Sequence, residues 1–144
     1  MATPKELRQQ ITDTRAELQG ALHDVHAKWE TKPTAGEGED AWCPKEVAQH
    51  VIGADWYFTN MIAQACGAPA MERPKVDAAT PATAAASLSR IAAGDDNVLR
   101  HVSEGDLSKT WDAGRLGTLT VERMMEIIVS HTNDHIQQLR AAGS

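Results

Sequence analysis

Val121-Glu-Arg-Met-Met-Glu-Ile-Ile-Val-Ser-His-Thr-Asn-Asp-His-Ile-Gln-Gln-Leu139 decides how the chain folds. Its apolar residues Val121, Met124, Met125, Ile128, Ile136 and Leu139 recur at the spacing of an amphipathic helix. His131 and His135 continue that stripe instead of lying opposite it. Residues four apart on a helix share a face, with Cβ atoms roughly 5–6 Å apart. Two imidazoles so placed can both reach one ion at metal–nitrogen distances of about 2.0–2.1 Å. The same placement equally suits two core histidines whose nitrogens are hydrogen-bonded within the protein. The helical zinc-protease signature needs Glu directly after the first histidine as general base. Here that residue is Thr132, which excludes that chemistry, and a metal would need a third ligand from another segment.

Three further helices are expected upstream. The first covers residues 3–30: Thr3-Pro4-Lys5-Glu6 supplies an N-cap, a first-turn Pro and a capping-box Glu. Leu7, Ile11, Thr14, Leu18, Leu22, Val25 and Trp29 form its stripe, flanked by His23 and His26, which read as solvated or hydrogen-bonded. Residues 31–43 form a loop with an acidic, flexible centre, Gly36-Glu-Gly-Glu-Asp40. The second helix starts at Pro44, carries Glu46 in its first turn and ends at Cys66-Gly67. Its stripe is Val47, His50/Val51, Ala54, Phe58, Met61/Ile62 and Ala65, so a third histidine points toward the core. Thr80-Pro81 opens a third, Ala-rich helix marked by Leu88, Ile91, Val98/Leu99 and Val102, with Gly94-Asp95-Asp96 expected to kink or loosen it. Residues 104–118 read as a polar loop able to pair briefly as extended chain, and Thr120 caps the last helix. Beyond that there is no strand alternation, repeat or heptad run. The pattern predicts one all-α domain over residues 1–144, a four-helix bundle with long connections.

A chain of 144 residues is long enough to bury a real core. No stretch approaches the roughly 20 apolar residues of a membrane span, and no apolar run follows the first basic residues. A cytoplasmic protein without a membrane partner is expected. The net charge is −6, and the 14 Lys and Arg are scattered, whereas duplex binding needs a concentrated basic face. No nucleic-acid partner is expected. Cys43 and Cys66 are too few for a disulfide framework and match no metal or redox pair, so each reads as a free thiol. On one helix, Cys43 would lie about 10 Å from His50, too far to share an ion with it.

Bundle cores build metal sites from side chains on facing helices. Setting the second helix beside the fourth brings His50 to the His131/His135 pair. A metal would satisfy one nitrogen of each ring at once, where an unsatisfied buried polar group costs about 1–3 kcal/mol. Three hydrogen-bonded core histidines without an ion remain the other reading at this point.

Trp42-Cys43-Pro44-Lys45-Glu46-Val47-Ala48-Gln49-His50 resembles the "W-S-P-x-E-x-x-x-H" start of helix 2 in the DinB/YfiT-like superfamily of small four-helix proteins. His131-Thr132-Asn133-Asp134-His135-Ile136-Gln137-Gln138-Leu139 resembles that family's "H-x-x-x-H-x-x-Q-[IL]" in the final helix. The likeness spans nearly the whole chain in helix order and spacing. It implies an up-down-down-up bundle with His50, His131 and His135 as metal ligands and Gln138 as a residue that can orient one of them. Cys43 departs from the family's Ser, and a thiol is a poorer N-cap than a hydroxyl.

The resemblance further implies a metal-dependent enzyme of the thiol S-transferase, isomerase or hydrolase kind. Its cofactor would be zinc or nickel, with iron a further candidate, and a low-molecular-weight thiol such as bacillithiol, mycothiol or glutathione its cosubstrate. The metal would activate that thiol, or water, against a small electrophilic substrate. The alternative is a non-catalytic metal-binding stress or interaction protein whose ion is structural or sensory. Homodimerisation through helix faces is open to such a chain. No general acid or base is assigned: Asp134 and Glu126 lie off the histidine line, and Trp42, Trp56 and Tyr57 either line a pocket or pack.

Overall fold

The computed structural model describes residues 2–25 and 27–144. Four helices carry the fold: α1 (Pro4–Asp24), α2 (Pro44–Ala65), α3 (Pro81–Leu99) and α4 (Val121–Ala142). Each begins as its residues dictate. Thr3, Thr80 and Thr120 accept backbone N–H groups at the starts of α1, α3 and α4, and Pro occupies the first turn of α1, α2 and α3. At α2 the Glu46 carboxylate accepts the Cys43 backbone N–H at 3.2 Å. That contact and Pro44 start the helix although Cys43 stands at the cap.

α1 stops six residues short of the expected end. Val25 is extended (φ −80°, ψ 108°) and Lys28 turns left-handed (φ 64°). Tertiary hydrogen bonds override the local pattern here. The Trp29 indole donates to the Ala78 carbonyl at 2.9 Å, while the Trp29 carbonyl accepts from Lys45, one of the otherwise orphaned amides of α2. Of the two flanking histidines, His23 is exposed in the last turn of α1, and His26 lies outside the described residues.

α3 runs unbroken through Gly94-Asp95-Asp96, a second correction. Asp95 is buried and Asp96 pairs with Arg15 of α1, so tertiary bonding outweighs the weak helix propensity of the triplet. The polar connection before α4 does form extended chain. β1 (Thr110–Asp112) pairs antiparallel with β2 (Thr118–Thr120), Trp111 facing Leu119. The fold is therefore mostly helical with one small two-stranded sheet.

Cross-helix contacts fix the directions. Thr14 meets Asn133 and Val25 meets Gly143, so α1 and α4 run the same way. Arg8 meets Leu99 and Gln19 meets Ala85, so α3 opposes α1. His50 faces His135, and Phe58, two turns later, faces His131, so α2 opposes α4. The order is up-down-down-up, with α4 packed between α1 and α2. The apolar stripes close into two core clusters, one around Leu22, Val51, Ile52 and Ile136, the other around Ile11, Ile62, Met124 and Ile128. Among the described residues no helix is long and apolar enough to cross a membrane.

Candidate metal centre

His50 comes from the second turn of α2, and His131 and His135 come from adjacent turns of α4. The antiparallel packing of these helices turns all three rings inward. His50 Nε2 lies 3.0 Å from His131 Nε2, and His135 Nε2 lies 3.1 Å from it. One ligand atom from each residue falls within 4.8 Å of the others. His135 is buried, and His50 and His131 are half-buried. Trp42, just before α2, packs on both flanks of the cluster: its ring centroid lies 5.0 Å from that of His50 and 6.5 Å from that of His135, stacked on the latter. Phe58 sets its edge against His131 at 6.1 Å.

The hydrogen bonds assign the tautomer of His135. Gln138 donates its amide N–H to the Glu39 carbonyl, in the short helical turn Gly38–Ala41. Its Oε1 therefore faces His135 and accepts from Nδ1 at 2.8 Å. A neutral imidazole carries one N–H, so His135 Nε2 presents a bare lone pair to the cluster. His131 Nε2 then has one hydrogen at most for two nitrogen neighbours. Whichever contact takes it, the other is left without a linear hydrogen bond. Donors around a tetrahedral zinc ion stand roughly 3.3 Å apart, close to the two spacings seen. The three nitrogens fit a divalent cation.

Burial and the neighbouring imidazoles favour the neutral forms of His131 and His50. Burial, then the neighbouring His135 and His50, push His131 down to about 4, and Asp134 only partly opposes this. Burial and His135 also lower His50, against the opposing charge of Glu39. Neutral imidazole is the metal-binding form.

The DinB superfamily model matches residues 11–139, which hold α2, α4 and all three histidines. The chain belongs to the DinB superfamily. No curated protein and no solved structure matches it.

This DinB-superfamily chain has a cavity of about 850 Å³ beside the histidines. His50, Gly53, Ala54 and Tyr57 line it from one face of α2, His131 lines it from α4, and Arg73 and Val76 come from the connection after α2. Trp56 and Tyr57 thus border a pocket, while Trp42 packs on the rings. Asp134 is exposed, and Glu126 faces Arg123 at 3.6 Å. Neither meets the cluster. Cys43 and Cys66 are free thiols, the first buried.

The sequence reading missed a second polar cluster. Arg15 of α1 donates from Nε and Nη2 to the two oxygens of Asp55 on α2, each at 2.8 Å, and from Nη1 to Asp96 at 2.5 Å. Asp95 is buried beside them, and its Oδ2 meets no hydrogen-bond partner among the described residues. Arg73 was missed as well. It carries no sequence signal, because it stands on an irregular connection.

Proposed function

We propose that His50, His131 and His135 bind one divalent cation through their Nε2 atoms, and that the chain is a metal-dependent enzyme acting on a small electrophilic molecule. The observation that carries this reading is the meeting of three Nε2 atoms with too few hydrogens to join them. Nitrogen-only ligation suits zinc or nickel, with ferrous iron a further candidate. Such a cation, held by three protein ligands with the rest of its coordination open, lowers the pKa of a bound water or thiol. A low-molecular-weight thiol is the proposed cosubstrate.

The chain's own residues do the positioning. Gln138 and the Glu39 carbonyl hold His135 in the tautomer that leaves Nε2 free. Trp42 and Phe58 wall the rings and limit their rotation. The cavity gives a small molecule access to the same side of the cluster as His50 and His131. Placement of the substrate is assigned to that cavity, and among the described residues no carboxylate stands at the nitrogens.

One observation favours a second reading. The cluster bridges α2 and α4, so an ion there would also staple the bundle, as in a structural or sensory protein. A panel of thiols with small electrophiles, run on zinc- and nickel-loaded protein, separates the two. The enzymatic reading predicts turnover that is lost in His131→Ala. Metal-dependent melting with no turnover of any pair would contradict it and leave the staple.

A further inference from the structure

The cavity beside the histidines has an uneven lining. Arg73 is its one charged lining residue, on a chain whose net charge is −6. Among the described residues no carboxylate lines it. Arg73 is exposed and makes no ion pair or hydrogen bond among the described residues. Its guanidinium carbon lies over the Trp56 ring, 6.0 Å from the centroid. A cation–π contact of that kind leaves the N–H groups of the guanidinium free to pair with a planar anion.

One more donor borders the same space. Asn60 accepts the Met71 backbone N–H at 2.7 Å through Oδ1, which leaves its NH₂ group uncommitted. That bond also pins the start of the connection carrying Arg73. Arg90 holds it further along, donating to the Lys75 carbonyl at 2.6 Å, and Trp29 grips Ala78. Arg73 therefore stands on an anchored segment. Trp56 follows His50 by six residues, about 9 Å along the α2 axis.

We propose that this cavity selects substrates carrying a carboxylate, with Arg73 as the specificity-determining residue. The carboxylate pairs with the Arg73 guanidinium, and the apolar body lies along Trp56 and Val76. The reacting end reaches the His50/His131 end of the cavity, several bonds away. This substrate class rests on the metal-site reading only for the identity of that reacting end.

The test uses trans-cinnamate and its neutral isostere cinnamamide as probes. Calorimetric titration is run on the metal-free full-length chain, so that no ion can itself attract the carboxylate. Wild-type protein is expected to bind cinnamate about tenfold more tightly than the amide, a difference of about 1.4 kcal/mol. Arg73→Gln should erase the preference, and Arg73→Lys should keep part of it, since the charge stays while the fork is lost. Equal affinities in wild type, or an undiminished preference in Arg73→Gln, would overturn the proposal. Zinc uptake is measured separately on the same proteins, and Arg73→Gln should leave it unchanged. A chain that takes no zinc yet keeps an Arg73-dependent preference loses the metal reading and retains this subsite. One that takes zinc and shows no preference does the reverse.

Discussion

Arg15, Asp55 and Asp95 on one side of the bundle, and His50, His131 and His135 on the other, are both polar groups set into apolar helix stripes. They differ in whether the protein completes them. In the first cluster a guanidinium meets a carboxylate through two parallel hydrogen bonds. Burial would raise Asp55, but a hydrogen bond from Asp95 and the pairing with Arg15 bring it below its ordinary value. Burial, with Asp55 close by, pushes Asp95 up to about 9, so it keeps its proton. The Arg15 charge is met by the carboxylates of Asp55 and Asp96 there, and these pairs tie α1, α2 and α3 together. In the histidine cluster three nitrogens converge with at most one linear hydrogen bond shared between two contacts, and the proposed cation would complete it. A closed polar cluster holds a fold; an open one waits for a ligand.

The contrast is broken most forcefully in the closed cluster. Asp55→Asn leaves the buried Arg15 with only the solvent-facing Asp96, and removing one partner of a buried pair costs about 3–5 kcal/mol. Urea unfolding measures this. Replacing both partners together, Arg15→Met with Asp55→Leu, should cost far less than the single change. A double variant as unstable as the single one would show that the pair is not the unit of stability.

In the open cluster the corresponding change is milder for the fold and specific for the ion. Gln138→Leu removes the acceptor of His135 Nδ1. Zinc affinity, read by competition with a chromophoric chelator, should fall about 10–100-fold while the metal-free melting temperature barely moves. Unchanged affinity would mean that the tautomer of His135 needs no help from Gln138.

The two clusters also respond oppositely to pH. Asp95 holds its proton to about pH 9 when folded, against an ordinary value of 3.8. The folded state carries the extra proton within that window, so this contribution to stability fades as pH rises through it. His131, at about 4 against 6.5, is the reverse: the unfolded chain carries the extra proton, and stability fades as pH falls through that window. Above pH 6.5 only the Asp95 slope acts. Metal-free protein should therefore lose stability between pH 6.5 and 8.5, and Asp95→Asn should flatten the loss. An identical slope in that variant would place the alkaline sensitivity elsewhere.

The four helices and the histidine trio were legible in the sequence because both rest on local periodicity. Capping residues announced each start, and three histidines fell in stripes whose partners were otherwise apolar. The same test would have revealed the closed cluster. Arg15 lies four residues after Ile11 and three before Leu18, Asp55 four after Val51, and Asp95 four after Ile91, each inside its stripe. Local propensity alone reads Asp95 as a helix interruption, because the Arg15 and Asp55 packed beside it are distant in sequence. The end of α1 was out of reach for a related reason. The hydrogen bonds that draw Trp29 out of helical register come from Ala78 and Lys45, distant in sequence. Arg73, on a connection without period, becomes meaningful only once the cavity exists.

Zinc titration of protein purified without a polyhistidine tag tests the distinction between the clusters most directly. One equivalent should bind wild type, none should bind His131→Ala, and the Arg15→Met/Asp55→Leu variant should bind as wild type does. Absence of stoichiometric uptake by wild type, or uptake that survives His131→Ala, would contradict the reading of the histidine cluster as an open cation site.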